Sequence, residues 1–351
     1  MTQEGLGRAA GLDRTAITRL EKGERKLNVP ELVVIAETLG RPLSYFVSKS
    51  VPAVVSRRRD TVHSHPTTRA LDVELDQFTA DLQMLVRLDV VSSVERRVGA
   101  RTPRTHAEAE RLAASARSDA GMGAEPIDDL GRVVERLGLY TFSASLGESG
   151  PDGGCAELDG SLQSLGAAVI NGDAPPGRRR MTLAHELGHW LSGDAYDLEA
   201  STDSEKMVNS FAIHFLAPRA GVNEAWEKHS SWPPRDRALA VSALFKLSWS
   251  AAVAQLKNLN LIDFEVHRML AADEPRSGDY LRLGLAWSTE LECPYVSPGF
   301  AAACLRGYVS GRLTSSRVVE LLRGTLDADD LPRQDDVTRD DLRKSFAGHD
   351  D

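Results

Sequence analysis

Thr182-Leu183-Ala184-His185-Glu186-Leu187-Gly188-His189-Trp190-Leu191 is the stretch that decides how this chain is read. With Met181 before it, the run is apolar apart from Thr182, and His185, Glu186 and His189 are its only ionisable groups. A helix puts residues four apart on one face. Neutral imidazoles at that spacing can chelate one Zn²⁺, and a Glu beside the first of them lies next to the metal's open position. Such a Glu can draw a proton from a water that the metal has acidified. That is the chemistry of peptide-bond hydrolysis. Three ionisable groups on a buried helix cost free energy unless something pairs with them, and a metal does so.

A catalytic zinc commonly takes three protein ligands and keeps a fourth position open. Residues 204–218 read as a helix ended by Pro218, with Val208, Phe211, Ala212, Phe215 and Leu216 as its apolar stripe. Glu205 and Asn209 are four apart and share a face. Glu205 is therefore the expected third ligand, with Asn209 packed behind the site as its polar support. Glu199 and Asp203 have no helical partner of that kind and are weaker candidates. His214 stands about 900° round the helix from Glu205, on the opposite side. It is expected as a surface or half-buried histidine rather than a ligand. Tyr196 and His214 are the candidates for stabilising a transition-state oxyanion.

Two runs carry a family resemblance. Arg178-Arg179-Arg180-Met181-Thr182-Leu183-Ala184-His185-Glu186-Leu187-Gly188-His189, followed by Glu205-x-x-x-Asn209-x-Phe211-Ala212-x-x-Phe215-Leu216-Ala217-Pro218, resembles the ImmA/IrrE family of zinc metallopeptidases. The resemblance spans about residues 106–265. It implies a thermolysin-like zincin arrangement around the metal and, for many members, cleavage of bacterial or phage transcriptional repressors after a stress signal. Residues 108–139 read as two helices, the second opened by Pro126-Ile127-Asp128-Asp129-Leu130, and residues 167–171 as a short buried strand. Both match the family's order of elements. Many members have Glu-Ala before the Asn, where this chain has Met207-Val208. The helical relation to Asn209 favours Glu205 as the ligand.

The start of the chain carries a second signal. Residues 3–10, 14–22 and 30–39 read as short helices, with a fourth beginning at Pro42. Asp13 is a good N-cap, while Gly23 and Gly40 are good stops. Two helices joined by a short turn containing Gly fit a helix-turn-helix unit. Residues 1–59 hold 11 Lys/Arg against 6 Asp/Glu, whereas the whole chain carries −9. A basic module on an acidic body points to a polyanion partner for the module alone. Thr2-Gln3-Glu4-x-Leu6-x-Arg8-x-Ala10-Gly11-Leu12, Thr15-x-Ile17-x-x-Leu20-Glu21-x-Gly23 and Leu32-x-x-Ile35-Ala36-x-x-Leu39-Gly40 resemble the XRE (lambda-repressor-like) DNA-binding family. That resemblance implies contacts to double-stranded DNA from residues 1–50, through Gln3, Arg14, Thr15, Thr18 and Arg19. The family's first helix, which should precede Thr2, is missing from the pattern.

The remaining features set the organisation. Residues 47–66 read as a linker holding Arg57-Arg58-Arg59. Leu71, Leu75, Phe78, Leu82, Leu85 and Leu88 mark an amphipathic helix, either a strut against the peptidase-like body or a homodimer helix. Residues 143–160 are Gly-rich and are expected as a flexible loop near the cleft, with Cys155 an ordinary loop cysteine or a shield for the metal. Arg178-Arg179-Arg180 falls at the positive end of the motif helix and calls for an anion or for salt bridges. Residues 239–256 resemble another helix-turn-helix geometry, with no DNA contact implied. Three scattered cysteines, Cys155, Cys293 and Cys304, argue against a disulfide framework. No apolar run of about 18 residues and no leader is visible, so a cytoplasmic protein without a membrane partner is expected.

The expected fold is mainly α with a small α+β zincin-like domain. The expected division is a helix-turn-helix at 1–50, a linker and amphipathic helix at 51–105, the peptidase-like domain at 106–265, and a helical region with a charged tail at 266–351. The expected function is a DNA-binding regulatory zinc metalloendopeptidase acting on a repressor-like protein in a stress or phage response. Its alternative is a transcriptional regulator or antitoxin-like protein, with a toxin partner, whose zinc domain does no catalysis.

Overall fold

The computed structural model describes residues 3–21, 24–38, 66–91, 101–158, 165–193, 202–286 and 289–334. The chain divides into two compact units, residues 1–51 and 52–351. In the first, α1 (Gln3–Ala10), α2 (Arg14–Glu21) and α3 (Val29–Thr38) close around Ile17, Ile35 and Ala36. Asp13 caps α2 as its sequence position suggests, its Oδ1 accepting from the Ala16 amide at 2.6 Å. The expected stops at Gly23 and Gly40, and the fourth helix, lie outside the described residues.

The second unit is built on a four-stranded sheet of β1 (Leu139–Ala144), β2 (Gly153–Glu157), β3 (Gly166–Asn171) and β4 (Tyr295–Val296). The order is β2-β3-β1-β4, with β1 and β3 parallel and the two outer strands antiparallel to their neighbours. Successive side chains of a strand alternate faces, and here each face has its own core. Tyr140, Phe142, Ala156, Ala167 and Val169 meet α4 (Pro66–Arg87) through Leu71, Leu75, Phe78, Leu82 and Leu85. The same core takes in α14 (Pro298–Val309) and α15 (Ser315–Leu322). On the other face, Leu139, Cys155, Ala168 and Ile170 meet α5 (His106–Asp119), α6 (Leu130–Arg136), α7 (Pro176–Ser192) and α8 (Thr202–Leu216). Behind these lie α9 (Arg219–Lys228), α10 (Pro234–Phe245), α11 (Trp249–Asn258), α12 (Phe264–Ala271) and α13 (Ser277–Arg282). Among the described residues the chain is thus mainly helical around one small sheet.

Two expectations are corrected. Residues 143–160 are not simply a flexible loop: they contain the end of β1 and the whole of β2, which is buried throughout. β2, covered on both faces, shows no polar alternation and so lacks that sequence signal. The segment from residue 266 is not a separate helical unit either. It returns β4 to pair with β1, and its helices α14 and α15 close the core beneath α4. The α4 stripe is covered inside its own chain, which makes α4 a strut. No single described helix is long and apolar enough to cross a membrane.

Candidate metal centre

The chain leaves β3 and turns at Pro175 directly into α7, where Pro176 occupies a helix-starting position without needing an amide donor. Three arginines sit at this positive end, and each is tied down within the protein. Arg178 pairs with Asp152 at 2.5 Å, Arg179 donates to the Gly172 carbonyl at 2.8 Å, and Arg180 donates to the Ile127 carbonyl at 3.0 Å and pairs with Glu290. Burial draws the Arg180 guanidinium down to about 10. The arginines are therefore structural bridges that hold the helix start against neighbouring loops.

One turn of α7 further on, the motif side chains are almost wholly enclosed, with His185, Glu186 and His189 between 1% and 4% exposed. Gly188, between the two histidines, lets α8 come close. A Cβ there would lie 2.9 Å from Val208 Cγ1 and 2.9 Å from Phe211 Cδ1. Close approach brings Glu205, one turn before Val208 on α8, against the imidazoles. His185 Nε2 and His189 Nε2 are 3.0 Å apart, and the Glu205 carboxylate reaches them at 3.4 Å and 3.5 Å. A tetrahedral ion with bonds of 2.0–2.1 Å separates its ligand atoms by about 3.3 Å, so these three groups fit zinc in donor chemistry and in spacing. Among the described residues they form the one His/Cys/Asp/Glu cluster able to hold an ion.

Asn209 orients the first histidine. Its Oδ1 lies 3.1 Å from His185 Nδ1 and can only accept, so Nδ1 carries the proton and Nε2 keeps its lone pair for a metal. Met207, at the position where the resemblance raised the ligand question, is buried and outside the cluster. Asp203 is exposed and paired with Lys206 at 2.9 Å, while Glu199 and Tyr196 lie outside the described residues.

Glu186 is buried beside the cluster. Burial raises its carboxyl above the usual carboxylate range, while His185, His189 and a hydrogen bond from Cys155 pull it down. The Cys155 thiol also faces the Glu186 carbonyl oxygen, at 3.6 Å. Glu186 Oε2 has no hydrogen-bond partner among the described residues. The sequence suggests for Cys155 a loop cysteine or a shield for the metal. It stands on β2, fully buried, against the very residue expected to act as base. Its contact arises from the packing of β2 on α7, for which the local sequence carries no signal. His214 faces away from the cluster as its helical position requires, but it is buried rather than superficial. Its Nδ1 accepts from Gln255 Nε2 at 3.3 Å, and burial lowers its pKa below the usual histidine value.

In the N-terminal unit, Thr15 and Arg19 are exposed on α2, while Thr18 is half-buried. Gln3 does not present a free amide. It donates to Glu21 Oε2 at 2.6 Å and accepts from Thr18 Oγ1 at 3.4 Å, so it first serves to hold α1 against α2. Thr15 Oγ1 donates to Asp13 Oδ1 at 2.6 Å. The Arg14 side chain lies outside the described residues.

Comparison with known families reads these two units separately. Residues 134–257 match the M78 peptidase family model, described as the IrrE N-terminal-like domain, and residues 1–46 match a helix-turn-helix family model. The two matches lie in order along one chain, the helix-turn-helix match first. No curated protein and no solved structure gives a significant match. The IrrE-like stretch contains β1 to β3 and α7 to α10, hence all of the cluster, Glu186 and Cys155. The strut α4, β4 and the helices α14 and α15 that complete the sheet's second core fall outside it. A peptidase-like stretch thus follows a helix-turn-helix-like stretch in one chain.

Proposed function

We propose that the chain is a zinc metalloendopeptidase that cuts a repressor-like regulatory protein and is brought to double-stranded DNA by residues 1–50. His185, His189 and Glu205 would hold the metal. When bound, zinc supplies Lewis-acid polarisation of the scissile carbonyl and acidifies water at its open position. Glu186 takes the proton of the attacking water through Oε2 and passes it to the leaving amine. Burial suits it to both roles, because a carboxylate shielded from water binds and releases a proton nearer neutrality. Asn209 holds the His185 ring, and the Cys155 thiol packs against Glu186 at its carbonyl oxygen. The M78 match over the same residues supports the peptidase reading, and the helix-turn-helix match supports the DNA-bound location. The observation that carries the proposal is the three-donor cluster at 3.0–3.5 Å spacing, with a buried carboxylate oxygen left unpartnered beside it.

The test compares wild type with Glu186→Gln in cells, sequencing the new protein N-termini each produces. Both proteins should contain one zinc per chain. Cleavage of a DNA-binding regulator should fall by about 10²–10⁴-fold in the variant. Identical N-termini in the two strains, with target-gene regulation unchanged, favour the regulator whose metal domain is non-catalytic.

A further inference from the structure

A cleft of about 850 Å³ opens where α7 and α11 begin, within the size range of ligand-binding clefts. Met181, Trp249, Ala251, Pro275 and Tyr280 line it, and Ser250 stands exposed at its rim. Met181 precedes His185 by four residues and lies in the row of α7 that carries both histidines. Met181, in the cleft wall, therefore stands about 6 Å along the helix axis from His185. An extended chain advances about 3.3 Å per residue. A peptide whose carbonyl lies at the metal centre thus reaches the cleft within about two residues.

The walls are held in place before any ligand arrives. Trp249 Nε1 donates to the Leu270 carbonyl at 2.9 Å, and the Tyr280 hydroxyl bonds Ser242 Oγ at 3.1 Å. Gly177 seats α7 tightly on the α11 start, since a Cβ there would lie 2.6 Å from the Ser248 nitrogen. The lining arginine, Arg178, is already paired with Asp152 at 2.5 Å, and Glu274 is exposed. Aromatic, thioether and proline surfaces remain to receive a side chain.

From this geometry we propose that the cleft is the specificity subsite of the peptidase centre. It takes one large apolar side chain, of the leucine, methionine or phenylalanine kind, within two residues of the scissile bond. The proposal rests on the peptidase reading above and adds the residues that choose the substrate: Met181, Trp249 and Tyr280.

Binding rather than turnover tests it. The full chain loaded with Zn²⁺ is titrated calorimetrically with two dipeptide hydroxamates that differ only in a leucine or a glycine side chain beside the chelating group. Wild type should bind the leucine probe at least about tenfold more tightly. Met181→Arg and Ser250→Trp should abolish that preference while the glycine probe still binds and zinc content stays at one per chain. Ser250 lies at the exposed rim, so its variant carries the test if the α7 variant sheds metal. Equal binding of the two probes to wild type overturns the subsite, as does a leucine preference that survives the filled cleft. Failure of both probes to bind fully zinc-loaded protein overturns the peptidase reading itself.

Discussion

Gly188→Ala should weaken both the fold and the metal centre, against the ordinary preference of a helix for alanine. In an unconstrained helix this substitution stabilises by about 0.5–1 kcal/mol. Here the added methyl would stand 2.9 Å from Val208 Cγ1 and from Phe211 Cδ1, where carbon atoms normally rest at about 3.5–4.0 Å. Phe211 is fully buried and stacked on Phe215 at 5.7 Å between ring centroids, so it has no space to yield into. The helix α8 must then retreat by about 0.6–1 Å, at the usual overpacking cost of about 1–3 kcal/mol. Glu205 travels with it. Zinc–ligand bonds tolerate deviations of only about 0.2 Å, so the carboxylate leaves bonding range of a metal held by His185 and His189. Zinc affinity should fall about 10–100-fold, as it does when outer supports of a metal site are removed. Competition against a chromophoric chelator measures the affinity, and thermal melting of the metal-free protein measures the fold. Adding Val208→Ala removes one of the two contacts and should restore part of both losses. A Gly188→Ala protein that melts at or above wild type and binds zinc equally well refutes the close-approach argument.

Other outcomes follow from the same geometry. Cys155→Val should keep zinc at one per chain but lower turnover about tenfold or more, because Glu186 loses its thiol donor, whereas Cys155→Ser should recover most of it; equal turnover in all three proteins removes Cys155 from the mechanism. His214 has its pKa lowered by burial, so between the folded and unfolded values the unfolded chain binds the extra proton. Its contribution to stability is therefore lost as pH falls below about 6.5. Denaturant melts at about pH 7.5 and about pH 5.5, on either side of that value, should show a smaller acid loss for His214→Asn than for wild type. Arg19→Ala, on the exposed side of α2, should weaken DNA binding and reduce the slope of log affinity against log salt by about 1; an unchanged slope shows that this side chain does not meet a phosphate.

How much was legible depended on how local each relation is. His185 and His189 could be paired because a helix repeats every 3.6 residues, whatever it packs against. Glu205 could be named because Asn209 shares its helical face, although nothing local says that α8 lies on α7. The three described helices of the chain's start were legible from caps of the same local kind. The sheet was largely hidden. With both faces covered, β2 shows no alternation of polar and apolar residues, and β4 returns from more than a hundred residues downstream. No periodicity spans that distance.

The amino-acid sequence by itself determined the candidate donors and the carboxylate beside them, because they are written in residue types at helical spacing, and the basic charge of the chain's start. Tertiary structure alone decided that Glu205 reaches both imidazoles, that Cys155 meets Glu186, and that the described residues from 266 onward belong to the unit built on the sheet. Those facts depend on how closely α7, α8 and β2 pack. Packing distance is set by volumes such as the missing side chain at Gly188, and by partners far away in sequence.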